Sequence, residues 1–158
     1  MFKTPITLSG FKKLQKELHQ LIRYKRPEII SEISKARKHG DLKENAEYHA
    51  AREQQAFYER KIKNIELKLN SVQIIDIKNI PFNGKVIFGS TVSILNIDTN
   101  KFLEVRIVGD DEADFKNHLI SINSPLARGL IGTMESDIVS IETPSGLVNY
   151  KVLCVKYI

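Results

Sequence analysis

Apolar residues near the N-terminus recur at the spacing of a coiled coil. Four of them lie at intervals of three, four and three: Phe11, Leu14, Leu18 and Leu21. This spacing places all four on one face of a helix. Thr7 precedes the pattern and is of a residue type favoured at the N-cap, so we predict that a helix begins near Leu8.

A proline interrupts this pattern without ending it. After Pro27 the apolar stripe resumes at Ile29, Ile33 and Ala36. Proline lacks a backbone N–H and crowds the preceding turn, so we predict a kink or a local loosening of the helix here. Gly40 is the helix breaker that ends the element.

A second helical pattern follows, which we predict to run from Asp41 to about Asn70. Its apolar stripe is thinner than the first: Ala46, Ala50, Phe57 or Tyr58, Ile62, Ile65, Leu69 and Val72. The connection at Gly40 is short, so the two helices are predicted to pack as antiparallel neighbours. About 31 residues at 1.5 Å each make an arm of roughly 45 Å, longer than a compact domain needs.

The pattern changes to β-branched residues after Ser71. Strand-like runs cover residues 72–77, 85–88, 91–97, 102–108, 119–122, 138–142 and 147–157. A short helix fits residues 125–131, with Ser124 as its N-cap and Pro125 at its first position. The predicted fold class is therefore α+β: a long antiparallel coiled-coil hairpin followed by a small, mostly antiparallel β domain with one short helix.

This organisation predicts a hairpin over residues 1–76 with an acidic tip near residues 40–45, a linker over residues 77–84 and a β domain over residues 85–158. Positive charge is concentrated in the hairpin. Residues 1–76 contain 16 Lys and Arg against 10 Asp and Glu, whereas residues 77–158 contain 8 against 9. A basic arm is typical of proteins that bind nucleic acid. On charge alone, however, the favoured interpretation of these residues is an ordinary solvated helical surface.

The composition excludes several classes of protein. The single cysteine, Cys154, cannot form an intramolecular disulfide. We find no signal-peptide pattern and no apolar run of membrane-spanning length, so the cytoplasm is the expected location. The four histidines lack the spacing of a metal-ligand set, and the chain has no nucleotide-binding glycine motif or nucleophile elbow.

Asp41 and Glu44 are the candidate site. Their spacing brings two carboxylates together on one helical turn, and such hard oxygen ligands suit Mg²⁺. The same spacing describes a capping box, with Asp41 as N-cap and Glu44 reaching back, and on spacing alone capping is the favoured interpretation. Two exposed carboxylates by themselves would bind Mg²⁺ weakly and hold no substrate.

Basic and aromatic residues flank the two acids. Arg37, Lys38 and Arg52 could contact phosphates or could simply be charges on a solvated helix. Tyr48 could stack on a base or pack against the hairpin. The residues alone leave both pairs of alternatives open.

The chain resembles the bacterial Gre transcript-cleavage factors, and it is more similar to their GreA type than to their GreB type. The resemblance is carried by residues 39–55 at the tip and by residues 86–89, 106–114 and 121–132 in the β domain. Together these motifs span essentially the whole chain. Thr133 stands where the family pattern has lysine, which changes nothing important.

The resemblance implies that the protein binds bacterial RNA polymerase. The C-terminal domain, similar to the FKBP fold, would dock on the rim of the secondary channel through a loop at Asn123, Ser124 and Pro125. The coiled coil would enter the channel. Asp41 and Glu44 would hold a second Mg²⁺ jointly with the polymerase, which supplies the first metal, and so complete a two-metal site for hydrolysis of the backtracked transcript.

The resemblance also assigns supporting roles. Arg37 and Arg52 match a basic patch that would touch the displaced 3′ segment of the nascent RNA. The protein would be an accessory factor rather than an enzyme, would bind no cofactor tightly alone and no membrane, and is expected to be monomeric.

Two alternatives remain. A factor could occupy the channel and inhibit the polymerase without cleavage, but the presence of both Asp41 and Glu44 favours cleavage. A prolyl isomerase is suggested by the fold analogy alone, and the chain has no tryptophan for a typical isomerase pocket floor.

Overall fold

A computed structural model describes residues 3–40 and 45–158. These residues fall into two units. The described part of Phe11–Val72 forms a helical unit, and the described residues up to Gly10 join Gln73–Ile158 in a sheet unit. No described helix is long and apolar enough to cross a membrane. The domain boundaries proposed at residues 76 and 84 stay predictions.

The first helical element begins where the sequence predicts. Helix α1 spans Leu8–Gln20, a π-helical segment spans Leu21–Lys25, and α2 spans Arg26–Arg37. The Thr7 hydroxyl accepts the backbone N–H of Gly10 at 3.1 Å, which is the bond expected of an N-cap.

The helix loosens just before Pro27, as predicted. The N–H of Arg26 bonds to the carbonyl of Leu21, five residues back, which defines a π turn. Such a turn takes one more residue than an α turn. The buried positions beyond the π turn are Ile29, Ile33 and Ala36. Each lies one residue later than it would if the spacing of three and four in α1 continued unbroken past Leu21.

Helix α3 spans Ala46–Asn70, so the predicted helix start at Asp41 is wrong. Its N-cap is Asn45, which has an extended backbone and whose side-chain oxygen accepts the N–H of Tyr48 at 3.1 Å. The capping-box interpretation of Asp41 and Glu44 falls on residues outside the described part of the chain, and the described cap of α3 is Asn45. Asparagine and aspartate are equally good caps, so residue type alone does not distinguish Asn45 from Asp41.

The packed face of α3 differs from the prediction near the tip. Its least exposed positions follow an unbroken repeat of three and four: Tyr48, Ala51, Gln55, Tyr58, Ile62, Ile65 and Leu69. The predicted Ala46 and Ala50 are exposed, and Tyr58 rather than Phe57 packs inward. The repeat is hidden in the sequence because the polar Gln55 occupies one of its positions.

Two apolar clusters hold the helices antiparallel. Leu21, Ile62 and Ile65 form one, and Ile29, Ile33 and Ala51 form the other, toward the tip. At the surface, the Arg26 guanidinium donates two hydrogen bonds to the Glu59 carboxylate at 2.8 and 2.9 Å. Exposed pairs of this kind contribute only about 0.2–1 kcal/mol, so apolar contacts supply most of the stability.

The sheet unit contains a five-stranded sheet of order β5-β4-β3-β7-β6. Its strands are β3 Thr91–Asn96, β4 Lys101–Val108, β5 Leu119–Ser121, β6 Ile138–Thr143 and β7 Gly146–Lys156. Only β4 and β5 are parallel among these neighbours. A separate two-stranded sheet pairs β1 Thr4–Thr7 with β2 Val72–Ile75. The α+β class is confirmed.

One short helix closes the core of this unit. Helix α4 spans Pro125–Leu130, and its buried Ala127 and Leu130 belong to the cluster formed by the sheet. The predicted strand at residues 85–88 is wrong. Val86 is buried, but it donates to Thr133 and accepts from Gly132, each at 2.8 Å, so it bonds to the loop after α4 instead of joining the sheet.

Candidate functional site

The described ends of the helices border the segment that carries the two candidate acids. Asp41 and Glu44 themselves lie outside the described residues. Arg37 ends α2, and its guanidinium carbon lies 6.0 Å from the centre of the Tyr48 ring, within the range of a cation–π contact. Tyr48 is half-buried against the tip cluster, which supports the packing alternative for this residue.

Arg52 lies one helical turn beyond Tyr48 on α3. Residues four apart share a helix face, so both arginines border the Tyr48 side of the tip. The Arg52 guanidinium is exposed and donates one hydrogen bond to the Gln55 side chain at 3.2 Å. A guanidinium has five N–H donors, and Arg52 therefore keeps capacity for a phosphate.

Asn45 joins the two helices at the tip. Its side-chain nitrogen donates to the carbonyl of Ala36 at 2.6 Å, while its oxygen accepts from Tyr48. The His39 ring nitrogen Nε2 also lies 3.7 Å from the Glu47 carboxylate. No role was predicted for Asn45 from the sequence, although an asparagine before a helical pattern is a recognised start signal.

The predicted docking residues lie together at the start of α4. The Ser124 hydroxyl donates to the carbonyl of Ser121 at 2.7 Å and accepts the N–H of Ala127 at 3.2 Å. Asn123 and Pro125 are exposed. The loop therefore combines a fixed backbone with accessible side chains, as a rigid recognition surface requires.

Asp110 fixes this loop from the end of β4. Its carboxylate accepts hydrogen bonds from the Ser121 hydroxyl and from the Asn123 side chain, the latter at 2.8 Å. These two bonds, that from Ser121 first, hold the pKa of the Asp110 carboxyl below its usual range. No role was predicted for Asp110 from the sequence. Asp110 lies just after the end of β4, and β4 pairs with β5, the strand that leads to the loop. An acidic residue in this place is the sequence signal that could have indicated its role.

Two further acids of the acidic stretch at residues 110–114, Glu112 and Asp114, also make contacts within the sheet unit. Glu112 accepts from the backbone N–H of Thr7 at 3.1 Å, from the Thr7 hydroxyl, and from the N–H of Gly109 at 2.8 Å. Asp114 accepts from the N–H of Lys116 at 3.2 Å and from the Asn117 side chain at 2.6 Å. These carboxylates organise loops of the sheet unit.

The described residues contain no group of three or more His, Cys, Asp or Glu that could hold a metal ion. The donor set of Asp41 and Glu44 is chemically suited to Mg²⁺, and both residues stay predictions as metal ligands.

Comparison with known proteins gives one consistent result. Residues 4–74 match the N-terminal model of transcription elongation factors, and residues 81–157 match the C-terminal model of the GreA/GreB transcription elongation factors. The transcription elongation factor GreA of Yersinia pestis biovar Antiqua (strain Angola) is 58% identical over 158 residues, covering 100% of both chains.

Further relatives extend the comparison. The transcription elongation factor GreA of Buchnera aphidicola subspecies Acyrthosiphon pisum (strain Tuc7) is 61% identical over 154 residues, covering 98% of this chain and 97% of the relative. The crystal structure of GreA factor homolog 1 of Thermus thermophilus is 24% identical, with a TM-score of 0.43, and the match covers 98% of this chain and 99% of that one.

Proposed function

Because the chain belongs to the GreA/GreB family of transcription elongation factors, we propose that it binds bacterial RNA polymerase in the secondary channel and stimulates Mg²⁺-dependent endonucleolytic cleavage of backtracked nascent RNA. One observation carries the proposal. The match to an elongation factor, at 58% identity, covers the full chain, and it therefore spans the segment in which this chain carries Asp41 and Glu44.

Asp41 and Glu44 carry the chemistry in this proposal. Two carboxylates are a typical protein contribution to Mg²⁺, which fills its remaining positions with water and phosphate oxygens. When bound, the ion supplies electrostatic stabilisation of the phosphate under attack. The two acids would hold it at the tip of the hairpin, and the polymerase would supply the remaining ligands, the RNA and a site from which bulk water is excluded.

Arg37 and Arg52 hold the displaced RNA. Both are exposed and border the same side of the tip, and guanidinium groups form strong, directional hydrogen bonds with phosphate oxygens. Their task is to position the 3′ segment beside the acids. Holding the substrate in a reactive arrangement is a large part of the rate enhancement in phosphoryl transfer.

The loop at Asn123, Ser124 and Pro125 docks on the polymerase. Its backbone is fixed by Ser124 and by the hydrogen bond from Asn123 to Asp110, so little conformational freedom is lost on binding. In this proposal the loop at residues 123–125 anchors the protein on the polymerase, whereas the two acids of the hairpin take part in the reaction. The protein has no cleavage activity without the polymerase.

The test uses a stalled elongation complex with end-labelled RNA. Addition of the protein with Mg²⁺ should shorten the transcript in backtracked complexes and leave complexes that are not backtracked intact. The same protein should leave free RNA intact. Cleavage of free RNA by pure protein would show an independent nuclease, and binding to polymerase without any shortening would favour the factor that only occupies the channel.

A further inference from the structure

Gln55 interrupts the apolar packing of the hairpin. It occupies an inward position of α3, between Ala51 and Tyr58 in the repeat of three and four, and it is half-buried there. Both of these neighbours in the repeat pack against apolar residues of the other helix. An apolar side chain at the same position would gain free energy by burial. The packing of the two helices therefore does not explain the amide group of Gln55.

The amide oxygen of Gln55 contacts one of the two arginines near the tip. It accepts a hydrogen bond from Nη1 of Arg52, about one helical turn earlier, at 3.2 Å. Residues three apart lie side by side on a helix, so this bond holds the guanidinium beside the packed face of α3. The bond uses one of the five N–H donors of Arg52, and the others stay available to a phosphate.

The second arginine near the tip is held in a similar way. The Arg37 guanidinium carbon lies 6.0 Å from the ring centre of Tyr48, and Tyr48 belongs to the same inward repeat of α3 as Gln55. Each arginine thus contacts a residue of this repeat, Arg37 through an aromatic ring and Arg52 through an amide oxygen. Both guanidinium groups are therefore restrained by side chains of the packed face.

The geometry points to Gln55 as a positioning residue for the RNA contact proposed for Arg52: its amide oxygen holds the guanidinium in place before the RNA arrives. This inference rests on the proposed function, since it concerns the same arginine. It assigns Gln55 no contact with RNA, metal or polymerase. A long side chain that is already restrained loses less conformational freedom when it binds. A polar residue in a packing position is typical of sites where function is favoured over stability.

Gln55→Met removes the acceptor and nearly keeps the length of the side chain. Methionine is about as favourable in a helix as glutamine, and its apolar group suits the inward position, so the thermal midpoint should stay equal or rise. The affinity for elongation complexes with long displaced RNA segments should fall about two- to tenfold, whereas the affinity for complexes with short segments should stay unchanged. A residue that only stabilised the hairpin would not combine unchanged or higher stability with weaker binding.

The salt dependence of binding separates positioning from charge. Gln55→Met keeps the positive charge of Arg52, so the slope of log affinity against log salt should equal that of the parent. Arg52→Ala removes one phosphate contact and should reduce this slope by about 0.7. In the Arg52→Ala background, Gln55→Met should cause no further loss of affinity, because the side chain that Gln55 positions is absent.

Two further variants complete the test. Gln54→Met changes the same residue type at the neighbouring, exposed position of α3, and it should bind like the parent. Gln55→Ala removes the amide without adding an apolar group and should show the same loss as Gln55→Met. It decides the matter if methionine lowers the thermal midpoint. In the protein without polymerase, NMR relaxation should give a lower order parameter for the Arg52 Nε–H in both Gln55 variants.

The outcomes are distinct. Parent affinity for long segments in both Gln55 variants would overturn the positioning role. An equal loss for long and short segments, or a further loss in the Arg52→Ala background, would also overturn it, because either result places the effect outside Arg52. Failure of the proposed RNA contact looks different, since Arg52→Ala would then bind long segments like the parent. The order parameter of Arg52 would still report whether Gln55 restrains it.

Discussion

Glu112 accepts a hydrogen bond from the backbone N–H of Thr7, 105 positions earlier in the chain, at 3.1 Å. The same carboxylate accepts from the Thr7 hydroxyl and from the N–H of Gly109. Thr7 is the N-cap of α1 and is 2% exposed. The acid thus fixes the beginning of the first helix within the sheet unit.

Gly10 is expected to tolerate no side chain beside this carboxylate. A Cβ at Gly10 would lie 2.0 Å from Oε1 of Glu112, and the acid cannot move away without losing its bonds. Gly10→Ala should therefore lower the free energy of unfolding by about 1–3 kcal/mol, whereas the same change in an unobstructed helix raises it by about 0.5–1 kcal/mol. Denaturant melting measures the difference.

The control for Gly10 is a double-mutant cycle with Glu112→Ala. Removing the carboxylate removes the obstruction, so Gly10→Ala should cost little in that background. An equal cost with and without Glu112 would show that the clash is not the cause.

Asp41→Asn and Glu44→Gln should abolish stimulated cleavage without unfolding the hairpin. Since Asn45 caps α3, the free energy of unfolding should change by less than about 0.5 kcal/mol. Each neutral amide lacks the anionic oxygen that Mg²⁺ prefers, so cleavage should fall about a hundredfold or more. Circular dichroism melting, competition for polymerase and cleavage across a Mg²⁺ series provide the measurements.

Raised Mg²⁺ concentrations should partly restore either variant if weakened metal binding is the defect. Two variants that melt normally, bind the polymerase and cleave at the parent rate would remove both acids from the mechanism.

Arg37→Ala with Arg52→Ala should weaken engagement of long displaced RNA segments more than short ones. Each lost contact with single-stranded phosphate reduces the slope of log affinity against log salt by about 0.7, so the double change should reduce it by about 1.4. Binding to complexes with long and short backtracked segments across a salt series tests this. The control pair, Arg60→Ala with Lys63→Ala, removes exposed charges farther along α3.

The control pair should leave unchanged the difference in binding affinity between complexes with long and with short backtracked segments. If the tip variant loses affinity equally for both lengths, the defect lies in the hairpin, where Arg37 also contacts Tyr48.

Asp110 should titrate below the ordinary range of an aspartate. Its bonds from Ser121 and Asn123 stabilise the ionised form, so the pKa in the folded state is lower than in the unfolded state. The stabilisation is then complete above the ordinary aspartate pKa and is lost as the pH falls through the lowered value. An NMR titration of the side-chain carboxyl carbon measures the shift.

Ser121→Ala should raise the pKa of Asp110 the most, and Asn123→Ala should raise it less. Ser140→Ala, which removes a hydroxyl elsewhere on the sheet, should leave it unchanged. An unchanged Asp110 pKa in Ser121→Ala would contradict the assignment of the hydroxyl as its main partner.

Local signals predicted much of this fold. The cap at Thr7, the loosened turn before Pro27 and the start of α4 at Pro125 all follow from neighbouring residues. Each depends on backbone chemistry within about one helical turn, which is visible in the sequence.

Features that depend on distant partners could not be predicted. The bond between Thr7 and Glu112 spans 105 positions. The cap at Asn45 was not predicted from the sequence, because its second partner, Ala36, belongs to another helix. The roles proposed for Arg37, Arg52 and the two acids rest on family resemblance, since isolated charged residues in a sequence do not specify a ligand.

The π turn at Leu21–Lys25 also determines which way the side chains of α2 face relative to those of α1. One residue of an α-helix corresponds to a rotation of roughly 100° about its axis. Without the extra residue, the segment from Arg26 to Arg37 would be turned by about that angle relative to α1, and Ile29 and Ile33 would point away from α3. The single extra residue thus rotates all of α2 about its axis. The direction in which the Arg37 side chain leaves the helix is therefore set at the π turn, more than two helical turns before Arg37.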